Sequence, residues 1–295
     1  MKIYAAVQEG FSTRNPSLTM DLQVCGAFSE GIYIKSSDHK MFLIHDFRYG
    51  LIPFGFAIPN AKTFLERYEI KVGMKLIWKD PVLYFPEIKA QIVVEEKEVP
   101  ALSSCRPDKD TVMRTVRRGI EILRKSSKGS VKEILWNTES ETINDIYMRK
   151  AFLPLKKLEN GMKNEDASEI NTALYSLLGL GPGLTPSMDD FLTAVLVTCI
   201  FIERCWRTEI TGAEILADQV KKMARERTGE FSAAYLTAAA DGGRFSLLEC
   251  LLSNDSNLSN YETLLEVGGN SGADQLTGVI WSMLYILKQL EMTQV

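Results

Sequence analysis

The sequence predicts an α+β protein in two parts: an N-terminal β-barrel-like or small sandwich domain over residues 1–100, then an all-helical domain over residues 101–295. Three observations carry this expectation. The first hundred residues hold short runs of β-branched and aromatic side chains, broken repeatedly by Gly, Pro, Asn and Asp. Beyond them, apolar residues recur at helical spacing, first at Val112, Val116, Ile120 and Leu123. A chain of 295 residues is also long enough for two domains that each bury a core.

The strand candidates are KIYAAVQ, GIYIKSS, KMFLIHDF, LIPFGFAIP, KLIWKDPVLYF and AQIVVEE. SSDHK, from Ser36 to Lys40, reads as a hairpin turn, and AKTFLERY as one short helix among the strands. Many short strands with tight connections favour closure, because closure removes exposed edges. The first long helix has Asp108 or Asp110 as its cap and stops at the Ser-Ser-Lys-Gly turn. Shorter helices are expected at 131–136 and 141–152, with LKKLENGMKNED as a charged connector. Seven more follow, at 167–178, 186–203, 211–227, 231–240, 245–252, 261–267 and 272–290.

Composition narrows the function. There are 34 Lys and Arg against 38 Asp and Glu, a formal net charge of −4, so global charge gives no reason to expect nucleic acid. Arg114, Arg117, Arg118, Arg124 and Lys125 fill the wet face of one helix without interleaved aromatics. The longest apolar run, Phe191 to Ile202, is too short to span a bilayer, and the N-terminal run is too short for a signal peptide. No membrane is expected. Five scattered cysteines without a CxxC pair favour reduced thiols and a cytoplasmic location. His39 and His45 form no metal cluster with each other and a cysteine, which removes most Ser–His and Cys–His acyl chemistry.

The chemistry concentrates in GLGPGLTPSMDDF, Gly179 to Phe191. Pro186 suits the first helical position if Thr185 is the cap; Ser187 with Asp190 offers a capping box instead, and Leu184 could serve as the hydrophobic staple. Gly181 and Gly183 allow a sharp turn or a close approach. SMDDFLTAV, starting at Ser187, is matched by SGADQLTGV, starting at Ser271. Ser187 pairs with Ser271, Asp190 with Asp274, Leu192 with Leu276 and Thr193 with Thr277, an offset of 84 residues from 187 to 271. Both copies follow a glycine-bearing turn and open an apolar helix.

A helix start offers unpaired N–H groups and partial positive charge. Two starts facing each other would attract phosphate or a carboxylate. The expected anion-binding residues are Gly181, Gly183, Thr185, Ser187, Ser271 and Gly272, with Arg244 after its Gly-Gly turn as a carboxylate clamp. The expected catalytic residues are Asp189, Asp190 and Asp274. Adjacent Asp189 and Asp190 point about 100° apart on a helix, so only one serves the cap well and the other is the better functional candidate. No metal ligands are assigned; the cofactor stays open, with Mg2+ the candidate that would bridge carboxylate and anion. Thr228, Gly229 and Ser232 are further polar candidates, as are Arg14 and Asn15 in the first domain. The motif is neither a Walker A loop nor a Rossmann fingerprint, having no Gly-Lys-Ser/Thr and no preceding strand.

GLGPGLTPSMDDFLTAVL, Gly179 to Leu196, closely resembles the signature of a bacterial family that includes the AllH-type subunit of oxamate carbamoyltransferase. GGNSGADQLTG, Gly268 to Gly278, resembles its second motif. The resemblance implies a barrel-like first domain and a helical second one. It also implies a hetero-oligomer with other carbamoyltransferase subunits, converting oxalurate and phosphate to oxamate and carbamoyl phosphate in purine and allantoin catabolism. Met188 stands where the family often has Gly, and Asn270 where it often has His, so no general base is assigned at the second motif. Two other classes stay open: a non-catalytic anion-binding or scaffold subunit, and a metal-dependent hydrolase using the Asp pair.

Overall fold

A computed structural model describes residues 2–7, 19–96, 107–137, 139–253 and 257–293. Arg14, Asn15 and Cys105 lie outside these residues. The chain divides into two compact units: residues 1–101 with Gly243–Ser246, and residues 102–242 with 247–295.

The first unit is a closed barrel, not a sandwich. Its strands are β1 (Lys2–Val7), β2 (Thr19–Phe28), β3 (Gly31–Ser36), β4 (Met41–Asp46), β5 (Gly55–Ile58), β6 (Lys75–Lys79), β7 (Val82–Phe85) and β8 (Ala90–Glu96). They are ordered β1-β5-β4-β3-β2-β6-β7-β8, and β1 closes the ring by pairing in parallel with β8. β4 and β5 are also parallel, joined by a connection through a 3-10 turn at Phe47–Tyr49. The remaining pairs are antiparallel. The β3–β4 turn falls at SSDHK as expected, with the Ser36 and Lys40 backbones hydrogen-bonded at 3.0 Å. Inside, Ile32, Ile34, Ile44, Phe56, Leu76, Trp78, Leu83 and Ile92 are fully buried, the period-2 residues that the β pattern marks. Helix α1 (Ala61–Arg67) packs Phe64 and Leu65 onto this core. His45 is buried on β4, its Nδ1 within 3.1 Å of the Asp46 carbonyl, and burial holds its pKa down to about 4.

The second unit contains α2 (Lys109–Lys125), α3 (Ile146–Lys163), α4 (Ala167–Leu177), α5 (Ser187–Trp206), α6 (Ala213–Arg227), α7 (Glu230–Ala240), α8 (Ser246–Leu252), α9 (Leu258–Glu266) and α10 (Ser271–Thr293). Asp108 caps α2 by accepting from the Thr111 amide at 2.7 Å. The expected connector after residue 152 is instead helical: α3 runs on through Pro154. Leu155, Leu158 and Met162 continue the buried stripe of Ala151 and Phe152, and this burial outweighs the missing hydrogen bond at the proline. α5 and α10 are the two central helices, apolar around most of their circumference. They cross where Ala194 meets Gly278: a methyl group on Gly278 would lie 2.4 Å from the Phe191 carbonyl oxygen and 3.0 Å from the Ala194 Cβ. Phe191 packs edge-on against Trp281, centroids 5.7 Å apart. No described helix is long and apolar enough to cross a membrane.

Candidate functional site

The two helix starts meet. Thr185, just before α5, hydrogen-bonds Ser271, the first residue of α10, with Oγ1 and Oγ 3.1 Å apart. The contact is reciprocal one turn deeper. The Ser271 hydroxyl lies near Asp190, and the Ser187 hydroxyl near Asp274, so each motif's serine serves the other motif's aspartate. Gln275 adds a long contact, Nε2 to Asp190 Oδ1 at 3.5 Å. The likeness also extends past the stretch matched by sequence. Thr198 bonds the Ala194 carbonyl at 2.7 Å and Ser282 the Gly278 carbonyl at 2.8 Å, again 84 residues apart. The helical unit therefore holds two similar helices, crossed at their small residues.

The caps differ from expectation. The N-cap position of α5 is Pro186, in extended conformation, and no side chain caps it; neither Thr185 nor Ser187 does. The preceding turn supplies the missing bonds. Met188 N–H donates to the Leu180 carbonyl at 3.1 Å, and Asp189 N–H to the Pro186 carbonyl at 2.8 Å. Gly181 makes this possible: its φ is +130°, and a Cβ there would sit 2.5 Å from the Ser187 nitrogen. Gly183, at φ +97°, lies on the exposed part of the turn. At α10, Gly272 N–H donates to the Val267 carbonyl at 3.1 Å and Asp274 N–H to that of Asn270 at 3.0 Å. Several amides expected to cradle an anion are thus taken by loop carbonyls. Leu184 is 63% exposed, so it is not a staple.

The adjacent aspartates divide as their helical angle requires. Asp189 is a tie: Oδ1 accepts from Gly179 N–H at 2.8 Å, and Oδ2 accepts a short bond from the Thr228 hydroxyl at the α6–α7 junction. Burial raises its pKa, opposed by these partners and by nearby Ser232. Asp190 points to the α10 side. It is 6% exposed, and its Oδ2 has no hydrogen-bond partner; Ser271 and Thr185 lie near without ordinary bonding geometry to that oxygen. Burial, then the charges of Asp274 and Asp189, push its pKa well above the usual carboxylate range. Asp274 is fully buried. Its Oδ1 accepts from Val131 N–H at 3.2 Å, while its Oδ2 has no partner. Burial raises its pKa to about 6 against the opposing Ser187 hydroxyl and the Val131 and Ser130 amides.

That last contact brings in a segment that the sequence marks as a helix stop followed by the short helix expected at 131–136, with no site residue assigned to it. Lys128 to Val131 lies against the α9–α10 turn. Lys128 Nζ donates to the Leu265 carbonyl at 2.7 Å, and Gly129 N–H donates to Asn270 Oδ1 at 3.1 Å. Asn270 is thus a strap for this segment. Ser130 opens a 3-10 turn, Val131–Leu135, whose first amides face Asp274. The signal was the Gly129–Ser130 pair before an apolar run, a helix-start pattern like the other two. Arg244 falls in the barrel's unit with Gly243–Ser246, where Ser246 and Leu51 exchange bonds of 2.9 and 2.6 Å. Among the described residues no group of three or more His, Cys, Asp and Glu is arranged to hold a metal ion, so no step is routed through magnesium.

What the pieces form is a floor of two buried carboxyl groups with open oxygens, under a pair of half-buried hydroxyls, flanked by exposed turns at 182–184 and 268–270. Over residues 177–283, which contain both motifs, the chain matches the family described as oxamate carbamoyltransferase subunit AllH. No curated protein and no solved structure matches the chain.

Proposed function

Because residues 177–283 are of the AllH type, we propose that the chain is a subunit of a carbamoyltransferase acting on a small anionic ureido compound, with its site at the joined starts of α5 and α10. In such a transfer a phosphate oxygen attacks the carbamoyl carbon of oxalurate. The bond to the oxamate nitrogen breaks, that nitrogen takes a proton, and carbamoyl phosphate leaves. Negative charge gathers on the carbamoyl oxygen as the carbon becomes tetrahedral. A buried carboxyl group that keeps its proton, and hydroxyls fixed beside it, can donate to that charge without reorganising. Asp190 fits the first role, and Thr185, Ser187 and Ser271 the second.

The observation that carries this reading is the interlock: two motifs 84 residues apart place their hydroxyls 3.1 Å from each other over two buried aspartates with unpartnered oxygens. Helix capping alone does not call for that. The word "subunit" in the family description supports a hetero-oligomer with other carbamoyltransferase chains. A cytoplasmic role in purine and allantoin breakdown belongs to the same reading. A second reading, a non-catalytic subunit that shapes a partner's site, draws on the Met188 and Gly272 amides being satisfied within the fold. The assembled enzyme, assayed with oxalurate and phosphate, separates the two. Asp274→Ala lowers turnover about a hundredfold if the site works on the carbamoyl group; unchanged turnover in a correctly assembled variant leaves only the scaffold.

A further inference from the structure

We propose that Asp190 and Asp274 recognise the primary carbamoyl end, –CO–NH2, of the ligand, with Asp274 Oδ2 accepting from its nitrogen and Asp190 Oδ2 donating to its oxygen. This rests on the carbamoyltransferase reading and adds which end of the ligand goes in first. Oxalurate and carbamoyl phosphate share the transferred carbamoyl group and differ in their anionic ends; oxamate presents the same –CO–NH2 edge on the oxalyl group that it has in common with oxalurate.

The geometry assigns the roles. Each aspartate has one oxygen engaged by the protein: Asp190 Oδ1 by Gln275 at 3.5 Å and Asp274 Oδ1 by Val131 N–H at 3.2 Å. Each has its other oxygen buried and without a partner. A buried polar atom left unpaired costs about 1–3 kcal/mol, so a pair of them at one place marks groups kept for a ligand. The two carboxyls are close enough to repel, so they do not both ionise readily. A backbone amide at 3.2 Å supports a charge on Asp274, while Asp190 has only the 3.5 Å contact from Gln275. The proton the pair shares is therefore placed on Asp190 as the donor and Asp274 is the acceptor, the sense in which burial and the neighbouring charges also push Asp190. A donor beside an acceptor is the complement of one amide edge. A bare carboxylate brings only acceptors and would set one against Asp274. The anionic end belongs on the outer side, towards the exposed turns at 182–184 and 268–270.

Isothermal titration calorimetry on the full chain tests this with oxamate, oxalate, phosphate and ammonium chloride. Oxamate is expected to bind at least about tenfold more tightly than oxalate or phosphate, because a site built to bond an N–H rejects the analogue that lacks it. Oxalate binding as tightly as oxamate overturns this inference and leaves the carbamoyltransferase reading standing. Ammonium displacing oxamate at equal concentration also overturns it, in favour of a cation site. No binding by any of the four overturns both. Among variants that melt like the wild type, Asp190→Ala is expected to weaken oxamate about tenfold, and Asp190→Asn to recover to within about threefold. An asparagine there can accept from Gln275 and still donate. Asp274→Asn is expected not to recover: with its Oδ1 on the Val131 amide, its Nδ2 meets the ligand's N–H donor to donor. Equal effects of the two asparagine variants contradict the assignment.

Discussion

Asp189 and Asp190 are neighbours in sequence and differ in their partners. Asp189 spends both oxygens on the fold, on Gly179 N–H and on Thr228. Removing it leaves a buried amide and a hydroxyl without their acceptor, so Asp189→Ala is expected to lower unfolding stability by about 1–3 kcal/mol, read from the urea midpoint at constant slope. A loss below about 0.5 kcal/mol would mean that the tie is not made. Asp190 supports nothing comparable. The sequence made one of the two aspartates the better functional candidate through the 100° step but gave no way to say which. That choice depends on Thr228, which only the packing of the α6–α7 junction brings near. For the same reason Lys128 to Val131 went unrecognised as a support for Asp274: nothing local ties residue 131 to residue 274.

At the level of elements, α4 to α10 were legible almost to their ends, because each carries a helical apolar period bounded by Gly, Asp or Asn. Two features were not. α3 continues through Pro154 because its buried stripe continues, and a local rule about proline cannot weigh a stripe that needs the finished core. The uncapped start of α5 was also hidden, since Leu180 and Pro186 carbonyls do what Thr185 or Ser187 was expected to do. The α5–α10 crossing holds the two starts in register and depends on Gly278. Gly278→Val places methyl groups against the Phe191 carbonyl and Ala194. It is expected to cost about 1–3 kcal/mol and to weaken oxamate binding even though residue 278 lies a full turn from the nearest site aspartate. A variant as stable as the wild type contradicts the close crossing.

Across the whole molecule, each unit carries its own buried titrating group, and the two respond to acid in opposite senses. In the barrel, His45 has a folded pKa of about 4 against an ordinary 6.5. The unfolded chain takes the proton first, so barrel stability is lost as pH falls from about 6.5 towards 4, by up to roughly 3 kcal/mol over the full window. In the helical unit, Asp274 has a folded pKa of about 6 against an ordinary 3.8. The folded state takes the proton first, so its stability rises as pH falls from about 6 towards 4, by a similar amount. Burial raises Asp190 and Asp189 in the same direction. Trp78 lies in the barrel and Trp281 on α10, and single-tryptophan variants report each unit. Between pH 7 and 5 the denaturant midpoint is expected to fall for Trp78 and rise for Trp281; parallel shifts contradict the two burials.

The account turns on Asp190 and Asp274 acting together on one bound carbamoyl group, and a double-mutant cycle on turnover measures that most directly. In the assembled enzyme with oxalurate and phosphate, Asp190→Ala and Asp274→Ala are each expected to lower kcat/KM by about tenfold or more, and the double variant little further than the worse single one, as for residues that act as a unit. Losses that simply multiply, or full activity in either single variant, contradict it.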